Sequence, residues 1–187
     1  VGPFIGVSTP ITIIQMLWIN MIMDTFSGLA FSFEPPLLET MQEKPKSLKE
    51  PIINKYMYSE ILITGLYSAL LCVIFLKSNV VRSIVRVGTK YEYLMTAYFA
   101  LFIFIGIFNA FNARTERKNI LANIMKNKIF LLMFSFIAIV QIYLIYNGGN
   151  LFRTYGLTLK ELLFVLILAF SVIPIDILRK FFIKKLD

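Results

Sequence analysis

Five long apolar stretches, separated by polar or proline-marked connectors, set the reading of this chain. They run from Ile11 to Phe33, Ser59 to Leu76, Leu94 to Ala113, Ile129 to Tyr146 and Lys160 to Leu178. Each is close to the roughly 20 residues with which an α-helix crosses a hydrocarbon core of about 30 Å. Local signals mark the ends. Ser8 or Thr9 is placed to cap the first helix, with Pro10 near its first turn. Glu34-Pro35-Pro36 stops it, because two prolines cannot continue the hydrogen-bond ladder. Asn147-Gly148-Gly149 closes the fourth helix, and Pro174 predicts a kink in the fifth. In the connector after Leu76, the Val80–Val87 stretch reads as a short amphipathic helix at the interface. The fold class is therefore all-α: a polytopic membrane helical bundle with five transmembrane helices, forming a single membrane domain over residues 1–187.

Composition agrees. The chain is 58% hydrophobic and 16% charged, against about 45–50% and 25% for a soluble domain, and its mean hydropathy is +0.74. The net charge of +8 is a matter of which loops are basic, not of nucleic-acid binding. With five spans, thirteen of the 19 lysines and arginines fall in the 37–58 connector, the 114–128 connector and the C-terminal tail. That side is expected to be cytoplasmic, with Val1–Pro10 outside and the C-terminus inside. The 37–58 connector is a solvated loop or a docking surface for another domain. There is no histidine, which excludes a histidine metal site or base. Cys72 is the only cysteine, so no internal disulfide forms. No phosphate loop, carboxylate pair or nucleophile–base arrangement is present, so the chain alone is not expected to hydrolyse ATP. Val1 opens the chain without an initiator Met or a signal peptide, as in a fragment.

One ionisable residue stands inside the first apolar run, Asp24. A carboxylate near mid-membrane costs at least about 2.5–3.5 kcal/mol and is retained where a proton, a countercharge or a cation offsets that cost. On an α-helix Asn20, four residues earlier, shares its face about 6 Å away along the axis, and Ser27 lies on the same side. Oxygen-only donors suit hard cations such as calcium; a protonated Asp24 bonded to a neighbouring helix would instead only hold the bundle together. Of the other polar residues, Asn109 and Asn112 read as interhelical hydrogen bonds in preference to a part of the ion pathway, because both lie within one or two turns of the cytoplasmic boundary, and Gln15 and Gln141 read as helix–helix contacts. Asp176 reads as an ion pair with Arg179, and Glu161 as a charge suited to a helix start. Trp18 is too deep for an interfacial anchor and is expected to pack on a neighbouring helix. Met16, Met21 and Met23 read as apolar fillers without the thiolates of a copper site.

The segment Leu17-Trp18-Ile19-Asn20, followed by Asp24, resembles the sixth transmembrane helix of P-type calcium ATPases. Phe33-Glu34-Pro35-Pro36, Lys44-Pro45 and Lys49-Glu50-Pro51 extend the likeness. Phe108-Asn109-Ala110-Phe111-Asn112-Ala113-Arg114 resembles the end of that family's eighth helix. The likeness covers nearly the whole chain, as helices six to ten, and lies nearest the plasma-membrane type.

The resemblance implies that Asn20 and Asp24 give side-chain oxygens to a transported Ca2+; manganese as a co-substrate is a weaker reading, since oxygen ligands suit it too. Pumps of the sarcoplasmic-reticulum type carry Thr where Met23 stands and Glu where Gly106 stands, so the likeness implies a single calcium site. Sodium/potassium pumps carry Asp in place of Asn20, which argues against a monovalent substrate. The remaining ligands, on the fourth and fifth helices, and the Mg2+- and ATP-using cytoplasmic domains belong to the N-terminal part of such a pump. Lipid and that N-terminal part are the implied partners, and the plasma membrane the implied location. The competing reading is a standalone, non-enzymatic membrane module: a small transporter, channel or regulatory subunit with the same fold.

Overall fold

The computed structural model describes residues 10–35, 53–115, 119–121 and 123–183. The N-terminal loop up to Thr9, most of the 37–58 connector, part of the 114–128 connector and the last residues of the tail lie outside the described residues. Among the described residues there is no strand, and five helical stretches are long and apolar enough to cross a membrane. The first consists of α1 (Ile13–Trp18), a π-helical segment (Ile19–Asp24) and α2 (Thr25–Ser32). The second is α3 (Lys55–Lys77), followed by the short α4 (Asn79–Ile84) in the connector where a short helix was predicted. The third is α5 (Glu92–Ala113) and the fourth α6 (Lys128–Asn147), with a single turn, α7 (Gly149–Phe152), after it. The fifth is split into α8 (Leu159–Phe170) and α9 (Val172–Ile183).

The helix ends explain several differences from the sequence reading. α1 starts later, because Thr12 takes the cap: its hydroxyl accepts from the Gln15 backbone while the Gln15 side chain accepts from the Thr12 backbone, a reciprocal capping box. α3 begins at Lys55, four residues ahead of expectation, with Asn54 as its cap. In the fifth span the break falls at Ser171, three residues before Pro174. A proline clashes with the carbonyl four residues back, here that of Phe170, so the ladder is interrupted upstream of the ring and Pro174 sits in the first turn of α9.

α5 is the hub. Two thirds of its span (67%) is buried, against 11% for the first span, and it packs on α3, α6, α8 and α9. Phe99, Leu101 and Ile103 are fully enclosed. The first span leans on α6 through its C-terminal half, α2, and leaves much of its remaining surface bare.

Charges fasten both ends of the bundle. At the end predicted to be external, Arg86 grips Glu161 through two side-chain hydrogen bonds of 2.9 Å, and its ring contact with Tyr93 is 4.2 Å. The hydrogen bonds to Glu161 hold the Arg86 guanidinium above its ordinary pKa. At the opposite end Arg114 donates to Glu34 at 2.8 Å, and Asn127 donates to Glu34 and to the Ala30 carbonyl while capping α6. The sequence reading gave Arg179 and Lys180 to a basic tail. Instead the helix continues to Ile183 and both cations are buried, paired with Asp176 at 2.6 and 2.8 Å. Lys180 also donates to the carbonyls of Asn112 and Thr115 at the end of α5, and Arg179 reaches Ser59 and Glu60 of α3. The predicted Asp176–Arg179 pair is thus the centre of a knot joining α3, α5 and α9.

Removing one member of a buried ion cluster leaves uncompensated charge, which costs about 3–5 kcal/mol. Asp176→Asn is therefore expected to lower stability by about that amount in denaturant-induced unfolding in mixed micelles. A change below about 1 kcal/mol would show that the cluster contributes no more than a surface pair.

Candidate cation site

The first span is held at both ends and unusual in its middle. At its start Gln15 donates to the Phe152 carbonyl of α7 at 2.7 Å, and Trp18 meets the Phe152 ring edge-on at 6.4 Å. Both residues thereby make the packing contacts predicted for them. At its end Phe26 packs on Phe136, and Phe31 on Phe130 and Phe134. Between these anchors Ile19–Asp24 is π-helical, where the sequence reading had a continuous α-helix. A π turn takes up an extra residue per turn and is frequent at functional sites. The segment contains neither Gly nor Pro, so no local sequence signal announces it.

Asp24 and Asn20 are both exposed on the surface of this chain. Asp24 lines a cavity of about 600 Å³ between the first span, α3 and α5; Asn20 does not line it. Met23 lines the cavity as well, and its methyl end lies so close to Gly106 of α5 that a Cβ there would collide with it. The two positions where the resemblance places lost ligands are therefore packed against each other.

The polar residues around the cavity differ in how their groups are spent. The hydroxyls of Thr64 and Ser68 are turned back onto the carbonyls of Glu60 and Thr64 within α3. Asn109 also lines the cavity, and its Oδ1 is buried without a hydrogen-bond partner. It thus departs from the interhelical bond predicted for it, whereas Asn112 makes one, donating to the Val172 carbonyl at 3.3 Å. Gln141 is fully buried, with neither polar atom of its side chain hydrogen-bonded.

The carboxylates divide in the same way. Glu34, Glu60, Glu161 and Asp176 each meet an arginine or a lysine. Glu92 accepts from the Lys90 backbone at 2.7 Å. Asp24 alone among the described acidic side chains has neither a basic partner nor a hydrogen-bond donor. Among the described residues no three of His, Cys, Asp and Glu stand close enough to hold a metal ion. The chain therefore offers one unneutralised carboxylate and nearby carboxamides, a part of a hard-cation coordination sphere. Sequence reasoning singled out Asp24 from its place in an apolar run; it set Asn109 aside because the residue lies near a helix end.

Known proteins carry the same segment. Residues 8–182 match the family described as cation transporting ATPase, C-terminus. Over 181 residues the chain is 32% identical to the plasma membrane calcium-transporting ATPase mca-1 of Caenorhabditis elegans, an alignment covering 90% of this chain and 14% of that protein. It is 31% identical over 182 residues to calcium-transporting ATPase 8, plasma membrane-type, of Arabidopsis thaliana, covering 92% and 16%. It is 29% identical over 176 residues to human plasma membrane calcium-transporting ATPase 4, covering 90% and 14%. The chain thus spans 14–16% of the length of these relatives. Five apolar spans, the family match and these relatives together establish that the chain belongs to the family of cation-transporting ATPase C-terminal regions.

Proposed function

We propose that this chain is the C-terminal membrane part of a pump that moves Ca2+ across the plasma membrane, and that Asp24 is its anionic ligand, with Asn20 beside it. The observation that carries this reading is the isolation of Asp24: every other described carboxylate has its cation or donor, and this one faces a cavity. A charge held at membrane depth without a partner is costly, and a travelling divalent ion offsets that cost once per cycle. Calcium takes 6–8 oxygens, more than Asp24 and Asn20 supply. The remainder comes from the part of the intact protein that covers the bare face of the first span. The names of the relatives support calcium as the ion and the plasma membrane as the location.

The distribution of lysine and arginine supports a cytoplasmic C-terminus. Phosphorylation of a remote domain would then shift the helices between states that differ in affinity at Asp24. A single calcium site is supported by Met23 and Gly106. A thioether is a poor ligand for a hard cation, glycine offers no side-chain ligand at all, and the Met23 side chain fills the space in front of Gly106.

Two outcomes follow. In the intact protein, Asp24→Asn is expected to abolish calcium-dependent phosphorylation by ATP while expression and folding persist; unchanged calcium dependence would take Asp24 out of the site. Transport measured against ATP hydrolysis in sealed vesicles is expected to give one calcium per ATP, and a ratio of two would refute the single site.

A further inference from the structure

We propose that Asn109 is a further cation-handling residue, presenting its carboxamide oxygen from α5 to the ion held by Asp24 or to a water bound to that ion. This inference rests on Asp24 being the anionic ligand, and it adds a group from a second helix. Three observations converge on it. Asp24 and Asn109 line the same cavity. The Asn109 Oδ1 is buried and accepts no hydrogen bond, an arrangement that is costly unless something else supplies the partner. The competing hydroxyls, those of Thr64 and Ser68, are already bonded to their own helix.

The depths agree. The first span and α5 run in the same direction: Gln15 and Thr96 both reach the Phe152–Tyr155 loop at one end, while Glu34 and Arg114 pair at the other. Met23 abuts Gly106, which fixes their mutual register. Asp24 lies one residue past Met23 and Asn109 three past Gly106. The two residues therefore differ in depth by about two residues' rise, about 3 Å. A carboxamide oxygen is a hard, neutral donor of the kind calcium accepts, directly or through a water. The Asn112 oxygen is buried and unbonded too, but Asn112 does not line the cavity and its amide donates to the Val172 carbonyl, so of the two asparagines only Asn109 faces the space beside Asp24.

The test is a calcium titration of phosphorylation by ATP on the intact protein carrying Asn109→Leu, Asn109→Asp or Asp24→Asn. Removing the oxygen in Asn109→Leu is expected to raise the half-activating calcium concentration about tenfold, in keeping with roughly 1.4 kcal/mol per factor of ten. Asn109→Asp keeps the size and adds charge beside the ion; it is expected to lower that concentration at least threefold. The extra thermal stability conferred by calcium, compared with calcium-free protein, should fall for Asn109→Leu and persist for Asn109→Asp. If Asn109→Leu does not fold, Asn109→Asp decides, because it preserves volume. Titrations within twofold of wild type for the asparagine variants, with Asp24→Asn inactive, would overturn the role of Asn109 and leave Asp24 in place. An Asp24→Asn protein with normal calcium dependence would remove both.

Discussion

A carboxylate placed in a membrane must be neutralised, and this bundle is arranged around how each of its acids meets that demand. Glu161 is met by Arg86, Glu34 by Arg114, and Asp176 by Arg179 and Lys180. Those partnerships lie toward the two ends of the spans and fasten one helix to the next. Asp24, between the anchored ends of the first span, has no such partner among the described residues. The stability of a bundle favours burying charge in pairs or not at all, and a single acid left open to a cavity is the feature on which the proposed cation site rests.

The rest of the architecture holds that acid in place while leaving it accessible. α5 is enclosed on most sides and forms the rigid element. The first span is held by α7 at one end and α6 at the other, meets α5 directly at the Met23–Gly106 contact, and carries a π-helical segment between its end ties. That segment is where the helix departs from ideal geometry, and Asp24 is its last residue. A span clamped at both ends and irregular in the middle is suited to small shifts of its central side chains without loss of the bundle. The buried cations of α9 do the opposite: Lys180 takes up two carbonyls at the end of α5, and Arg179 reaches α3, so the far end of the bundle is stiff.

Much of this was legible from the residues, because membrane helices declare themselves by length and by uniform apolar character. The five spans, the helix-breaking prolines, the place of Glu161 at a helix start and the Asp176–Arg179 pair all followed from local rules. What was not legible depended on neighbours far away in sequence. Arg179 and Lys180 look like a solvated tail; the carboxylate of Asp176, the carbonyls of Asn112 and Thr115, and Ser59 and Glu60 of α3 offset their burial. Ile19–Asp24 contains no residue that breaks an α-helix, so its π geometry is imposed by the packing on either side. Asn109 and Asn112 are equivalent on paper; one finds the Val172 carbonyl and the other faces a cavity, a difference set by which side of α5 each occupies. Asp24 stood out because one charge in an apolar run needs no neighbour to be noticed, whereas its isolation became evident from the partners that every other described acid had found.

The most direct measurement is the position of bound calcium in a high-resolution structure of the intact protein, located by its anomalous scattering. The account predicts one ion in the transport path with an Asp24 carboxylate oxygen at about 2.3–2.6 Å, and the Met23–Gly106 contact closed beside it. An ion bound elsewhere, with Asp24 turned to lipid or joined to a basic side chain, would contradict it.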